Sequence, residues 1–329
     1  MRPQNPANIL RTPRPQILGQ RLHHPSHLLA RPQRPRSARL LRQPQRSLQY
    51  LQQSIWNPAM TFRTTPLTPN YGVEVHDIDL TQINGEMAEA LLDAVNEHAL
   101  LLFRRQSLHD EDIYTLSAAL GPVAEPAARV NHSPRFKEVN YLSNLNNDEG
   151  TFIGAPITDN DSSWHTDQAF RKNPATLSTL FCIIAPEQGG GTSFCSTHMG
   201  YEALPKTLKK HIENMRVKYL PGKIHEVEPL VVTHPLVLTS PSTGRKTLYL
   251  APHTRGIDGL DEAESQALKN ELLTYQLRPQ HIYQHNYRMG DMLIYDNAQL
   301  LHKRDAYKGP RFLKITRVFL SHDRFAIPD

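Results

Sequence analysis

The segment "SSWHTDQAF", residues 162 to 170, sets His165 and Asp167 one residue apart, the only His-x-Asp in a chain with 17 histidines. On an extended strand, residues i and i+2 share a face, so this pair can offer a nitrogen and an oxygen to one ion. Two ligands under-fill a metal. The best third is His302 in "YDNAQLLHKRDAY", which follows the strand-like "DMLIYDN". Two histidines and one carboxylate suit non-haem Fe(II), because the remaining positions stay open for substrate and oxygen. The same donors also suit Zn and hydrolysis.

The residues around these three narrow the choice. After His302 comes "GPRFLKITRVF", which carries Arg311 and Arg317. A buried guanidinium fixes a carboxylate through two parallel hydrogen bonds, which an ammonium cannot reproduce. A dicarboxylate cosubstrate such as 2-oxoglutarate needs that clamp at its far end. Thr192, just after Gly189-Gly190-Gly191, offers a hydroxyl to the same carboxylate. A zinc hydrolase leaves these groups without a task. There is no G-x-G-x-x-G, Walker loop or C-x-x-C to support a nucleotide or zinc-ribbon reading.

The elements that must position these groups are short. "GVEVHDIDL" (72–80) alternates as a half-buried strand, and residues 85–99 show apolar spacing suited to a helix. "LLLFRR" (100–105) reads as a buried strand, and 109–121 as a helix stopped by Gly121. "LSTLFCII" (177–184) leads through the glycine turn into "TSFCST". A helix interrupted at Pro205 follows, then strands in "PLVVTHPLVLTS", "KTLYLA", "QHIYQHNYR" and "DMLIYDN". The helix at 261–276 opens with a capping box, Asp261 with Glu264. Short strands with a few inserted helices indicate an α+β protein with an antiparallel sandwich or jelly roll.

Charge is unevenly distributed. Residues 1–60 hold ten Arg, nine Pro and no Lys, Asp or Glu, so the net +5 leaves the body near −5. That balance gives nucleic-acid binding by the body no support. The expected organisation is an Arg/Pro/Gln-rich disordered tail or targeting segment at 1–60 and one domain at 61–329. Location is then cytoplasmic, or mitochondrial if the tail is a transit peptide. Cys182 and Cys195 read as small core residues in a reducing compartment. No apolar run approaches the ~20 residues that span a bilayer. The expected partner is a small-molecule substrate, with no nucleic acid and no membrane, and a homo-oligomer is compatible.

In this order the parts resemble the taurine dioxygenase and 2,4-dichlorophenoxyacetate dioxygenase family of Fe(II)/2-oxoglutarate-dependent oxygenases. The resemblance covers roughly residues 66–325. It is carried by "GVEVHDIDL", "WHTDQAF", "PEQGGGTSFCST", "THPLV…GRKTLYL", "GDMLIYDNAQLLH" and "GPRFLKITRVF". It implies a double-stranded β-helix (jelly-roll) core, with His165, Asp167 and His302 as iron ligands and Thr192 on 2-oxoglutarate. Either late arginine could form the salt bridge to 2-oxoglutarate. The family often sets two arginines four residues apart there, whereas Arg311 and Arg317 are six apart; Arg317 is favoured.

The implied cofactors are Fe(II), 2-oxoglutarate as cosubstrate, and O2. Decarboxylation of 2-oxoglutarate to succinate and CO2 is coupled to oxidation of a substrate C–H bond, by default hydroxylation. The implied substrate is a small organic acid or an amino acid derivative. Where taurine dioxygenase has an Asn four residues before the first metal histidine, this chain has Asp161, beside Asn160; that carboxylate would repel a sulfonate. Tyr141 and Asn144 of "NYLSNL" and His253 after "TLYLA" are further substrate candidates. The alternatives are a sulfonate or xanthine-like purine on the same scaffold, or a non-catalytic jelly-roll binding protein.

Overall fold

The structure, a computed structural model, describes residues 62–125, 132–146, 155–156, 162–221, 230–320 and 322–326. The strands in chain order are β1 (Thr64–Pro66), β2 (Val73–Val75), β3 (Leu100–Phe103), β4 (Asn140–Ser143), β5 (Ala155–Pro156) and β6 (Leu177–Ile184). Then come β7 (Gln188–Gly189), β8 (Thr192–Ser196), β9 (Arg216–Tyr219), β10 (Val232–Pro235), β11 (Val237–Thr239) and β12 (Lys246–Leu248). The last are β13 (Gly256–Ile257), β14 (Ile282–His285), β15 (Met292–Asp296), β16 (Leu300–Arg304), β17 (Tyr307–Lys308) and β18 (Phe312–Val318). The helices are α1 (Gly85–His98), α2 (Asp110–Leu120), α3 (Thr197–Glu202), α4 (Lys206–Ile212) and α5 (Glu262–Gln276).

An eight-stranded sheet runs β1-β2-β3-β15-β6-β18-β4-β5, and a three-stranded sheet runs β14-β8-β16. Leu100, Leu102, Leu180, Leu293 and Leu313 of the large sheet share one buried cluster with Phe194 and Leu300 of the small one. Alternation along each strand explains this. In β15, Leu293 and Tyr295 join that inner cluster, while Met292 and Ile294 join the cluster that holds Leu91, Val95, Ile113 and Leu116 of α1 and α2. A third cluster packs α3, α4 and α5 against the strand segments from 216 to 257, through Tyr219, Leu236, Leu248 and Leu272. This is the α+β arrangement the sequence indicates.

Local chemistry sets the helix ends. The Asn84 side chain accepts from Met87 N to start α1, and Asp261 and Glu264 form the expected capping box of α5. The strand expected at 72–80 shortens to β2, because Asp77 takes a left-handed φ of 57° and Asp79 caps a 3-10 turn at Leu80–Gln82. Both cysteines are free and buried. Among the described residues, no helix is long and apolar enough to cross a membrane.

Candidate active site

His165 does not lie on a regular strand as its spacing suggests. It forms a lone bridge opposite His302 of β16, and Asp167 begins the turn that follows. The two histidines exchange both backbone hydrogen bonds, His165 N to His302 O at 2.9 Å and His302 N to His165 O at 2.8 Å. Directly paired residues of an antiparallel ladder put their side chains on one face, and the two rings lie 4.2 Å apart. Asp167 is brought in by β15 and its turn. Its backbone N–H donates to Asn297 Oδ1 at 3.3 Å, and the Thr166 hydroxyl donates to Asn297 O at 2.7 Å. One ligand atom from each of His165, Asp167 and His302 then lies within 4.8 Å of the others.

The donors suit a metal. His165 Nδ1 donates to Ser163 O at 2.9 Å, which leaves Nε2 with its lone pair free. His302 is buried; its Nδ1 has no hydrogen-bond partner among the described residues, and its Nε2 lies 3.3 Å from the Tyr295 hydroxyl. Burial, reinforced by His165 and opposed by Asp167, holds the His302 imidazole down at about 3, so the ring is neutral as a metal ligand must be. Burial by itself would raise the Asp167 carboxyl. The Arg317 guanidinium and the two imidazoles outweigh it and hold that carboxyl well below the usual range.

Asp167 is held on both oxygens. Arg317 Nη2 donates to Oδ1 at 3.0 Å, while Ser178 Oγ at 2.6 Å and Tyr295 OH at 3.4 Å donate to Oδ2. Asn297 Nδ2 donates in turn to Ser178 Oγ at 2.9 Å. Ser178, Tyr295 and Asn297 escaped the sequence reading. The inward phase of β15, with Leu293 and Tyr295 on one face, was the signal that could have found Tyr295.

The arginine favoured as the cosubstrate clamp, Arg317, is thus engaged at Asp167, a candidate metal ligand. Arg311 sits elsewhere, 2% exposed, one residue before β18, whose Leu313 and Ile315 face the inner cluster. Its Nε donates to Gly190 O at 3.1 Å, and its Nη1 has no partner among the described residues. The Arg311 guanidinium carbon lies 5.9 Å from the Tyr287 ring centre and 5.7 Å from that of Tyr307. Tyr287 OH lies 2.9 Å from Thr192 Oγ1, which joins the expected threonine to this arginine. The glycine run makes room for the group. A Cβ on Gly190, whose φ is +67°, would stand 2.4 Å from Pro186 Cγ and 3.3 Å from Arg311 Cδ.

Of the substrate candidates, Tyr141 turns away from the cluster: its hydroxyl donates to Asp110 Oδ2 of α2 at 2.6 Å, and its ring packs on the outer cluster. Asn144 holds the Arg311 backbone, its Oδ1 accepting from Arg311 N at 2.9 Å and its Nδ2 donating to Gly309 O at 3.0 Å. His253 Nδ1 lies 3.4 Å from Trp164 O, next to His165. Burial and then the neighbouring His165 hold its imidazole down at about 4. Asn160 and Asp161 lie outside the described residues, as does the 1–60 tail.

A model of the family described as "Taurine catabolism dioxygenase TauD, TfdA family" matches residues 63–319. The chain is 30% identical to the alpha-ketoglutarate-dependent 2,4-dichlorophenoxyacetate dioxygenase of Cupriavidus pinatubonensis, over 75% of this chain and 93% of that protein. It is 28% identical to the (S)-phenoxypropionate/alpha-ketoglutarate-dioxygenase of Sphingobium herbicidovorans, over 74% and 88%. The crystal structure of a taurine dioxygenase from Burkholderia xenovorans superposes with a TM-score of 0.68 at 24% identity, covering 82% of this chain and 96% of that one, and so shares its fold. With a match that spans both sheets and every residue of the His-Asp-His cluster, the chain belongs to the TauD/TfdA dioxygenase family and is an oxidoreductase of that class.

Proposed function

We propose that this protein is an Fe(II)- and 2-oxoglutarate-dependent dioxygenase, on a double-stranded β-helix scaffold, that oxidises a small organic acid or amino acid derivative. The observation that carries this reading is the convergence of His165, Asp167 and His302 on one point, together with a buried Arg311 whose Nη1 has no partner among the described residues. His165, Asp167 and His302 hold the iron. Bound iron supplies the redox chemistry, in which O2 and 2-oxoglutarate give succinate and CO2 and the substrate C–H becomes C–OH.

The chain's own residues bind and orient. Arg311 takes the far carboxylate of 2-oxoglutarate, and Thr192 adds its hydroxyl. A buried guanidinium whose Nη1 has no partner among the described residues is the complement of an anion. Arg317 keeps Asp167 ionised and fixes the direction of its carboxylate, with Ser178 and Tyr295 on the other oxygen. This role accounts for its position at the ligand rather than at the clamp.

The organic-acid class is supported by the two curated relatives, whose names specify aryloxy acids. His165 is the half-buried member of the triad, so substrate approaches from its side, where His253 lies. Held at about 4, His253 is neutral near pH 7 and meets a substrate as a hydrogen-bonding group, not as a cation. The 61–329 body carries the whole activity, and the Arg-rich 1–60 segment is a tail or targeting signal that contributes nothing to the chemistry.

The test is anaerobic addition of Fe(II) and 2-oxoglutarate to the full chain. A weak visible metal-to-ligand charge-transfer band is expected, and His165→Ala should abolish it. Iron binding without a band in the wild type overturns chelation by 2-oxoglutarate. A panel of organic acids, amino acid derivatives, sulfonates and purines scored by succinate release then fixes the substrate.

A further inference from the structure

Tyr287 lies between β14 and β15, outside the metal cluster and among none of the residues picked out by spacing. Its ring stands edge-on to His285, with centres 4.8 Å apart and planes at 85°. His285 is itself held by Asp291, whose Oδ2 lies 3.1 Å from His285 Nε2 and also accepts from Arg104 Nη1 at 2.6 Å. The ring therefore rests on a buried polar support that fixes where its hydroxyl points.

Among the described residues that hydroxyl has one hydrogen-bond partner. Tyr287 OH and Thr192 Oγ1 are 2.9 Å apart, and either can donate to the other. Two hydroxyls carry two hydrogens and their mutual bond consumes one, so one proton remains without an acceptor among the described residues. Arg311 Nη1, beside the same ring, also lacks a partner. Burial raises the phenol well above its ordinary range, against the opposing pull of Arg311 and of the Thr192 bond, so the group remains a donor at every physiological pH.

We propose that Tyr287 is a cosubstrate-binding residue whose phenol, through or beside Thr192, donates to the same distal carboxylate that Arg311 clamps. The inference rests on the dioxygenase reading above and extends it by one residue. The phenol makes recognition of that carboxylate three-sided, with a planar guanidinium fork and two hydroxyls that share their protons.

The test is titration of the Mn(II)-loaded full chain with two probes. N-oxalylglycine, an unreactive isostere of 2-oxoglutarate, reaches the clamp; oxalate chelates a metal but has no distal carboxylate. In Tyr287→Phe, which keeps the ring, N-oxalylglycine should bind about ten-fold more weakly, the effect of one lost hydrogen bond to a charged group. Oxalate and Mn(II) should change by less than about two-fold, within the scatter of surface-level effects. Unchanged N-oxalylglycine binding overturns the proposal, and so does an equal loss for both probes, which would make Tyr287 a packing residue. If the wild type binds Mn(II) but not N-oxalylglycine, the 2-oxoglutarate reading falls as well; binding by the wild type with an indifferent Tyr287→Phe sinks this inference alone.

Discussion

Replacing Arg311 by Met separates the two arginines that spacing could not. Arg311 is 2% exposed, and its Nη1 has no partner among the described residues, so a bound carboxylate would gain its full charge-assisted bond there. Truncating one side of a buried, hydrogen-bonded charge pair costs about 2–5 kcal/mol. At about 1.4 kcal/mol per ten-fold, that is roughly 30- to 4,000-fold weaker binding. The Nε bond to Gly190 O is internal to the protein. It is lost in free and bound forms alike, so it lowers folding stability without entering this ratio. Arg317→Met removes the 3.0 Å contact to Asp167 and should act first on metal affinity. The assay is calorimetric titration of N-oxalylglycine into Mn(II)-saturated full-length variants, with metal in enough excess to load both. A larger loss for Arg317→Met than for Arg311→Met would refute the division of labour and return the clamp to Arg317.

Other expectations follow from single contacts. Between its ordinary value of 6.5 and about 3, His302 refuses in the fold a proton that the unfolded chain takes up, so metal-free stability should fall as pH drops through that window, by about 1.4 kcal/mol per unit. Asp296, pushed up to about 6 by burial, acts with the opposite sign but cancels in a comparison of chains that both keep it. His302→Asn should therefore flatten the metal-free Tm between pH 6 and pH 4, and parallel Tm profiles would refute it. Ser178→Ala removes the 2.6 Å bond to Asp167 and strands Asn297 Nδ2; Mn(II) affinity measured by equilibrium dialysis should drop about ten-fold or more. Gly190→Ala pairs a left-handed φ with a 2.4 Å clash, so thermal melts should show a loss of at least about 1 kcal/mol and N-oxalylglycine titration a weaker clamp. Deleting residues 1–59 should leave succinate release intact.

Much of this molecule is written in local patterns. The capping box at Asp261 and Glu264, the stop at Gly121 and the apolar run of β6 each depend on neighbours a few residues away, and each element formed where expected. The three metal-ligand candidates were also legible, because residue type and one short spacing restrict them. The partners of those ligands were not. Tyr295, Ser178 and Asn297 reach Asp167 only through the alignment of β15 with β6, where Tyr295 faces Ser178. Cross-strand register is a property of the folded sheet that no window along the chain contains. Choosing between Arg311 and Arg317 fails for the same reason. Both belong to one C-terminal run, and what separates them is contact with Gly190 in one case and Asp167 in the other.

The reciprocal backbone hydrogen bonds between His165 and His302 have a consequence for how such a centre can diversify. Because main-chain atoms fasten these two positions together, the link itself uses no side chain. The α3-to-α5 region, which lies between β8 and β14, can lengthen, shorten or change composition while the two imidazoles stay neighbours. Reactivity and selectivity are thereby uncoupled: one is moored to the ladder, and the other is left to drift with the loops.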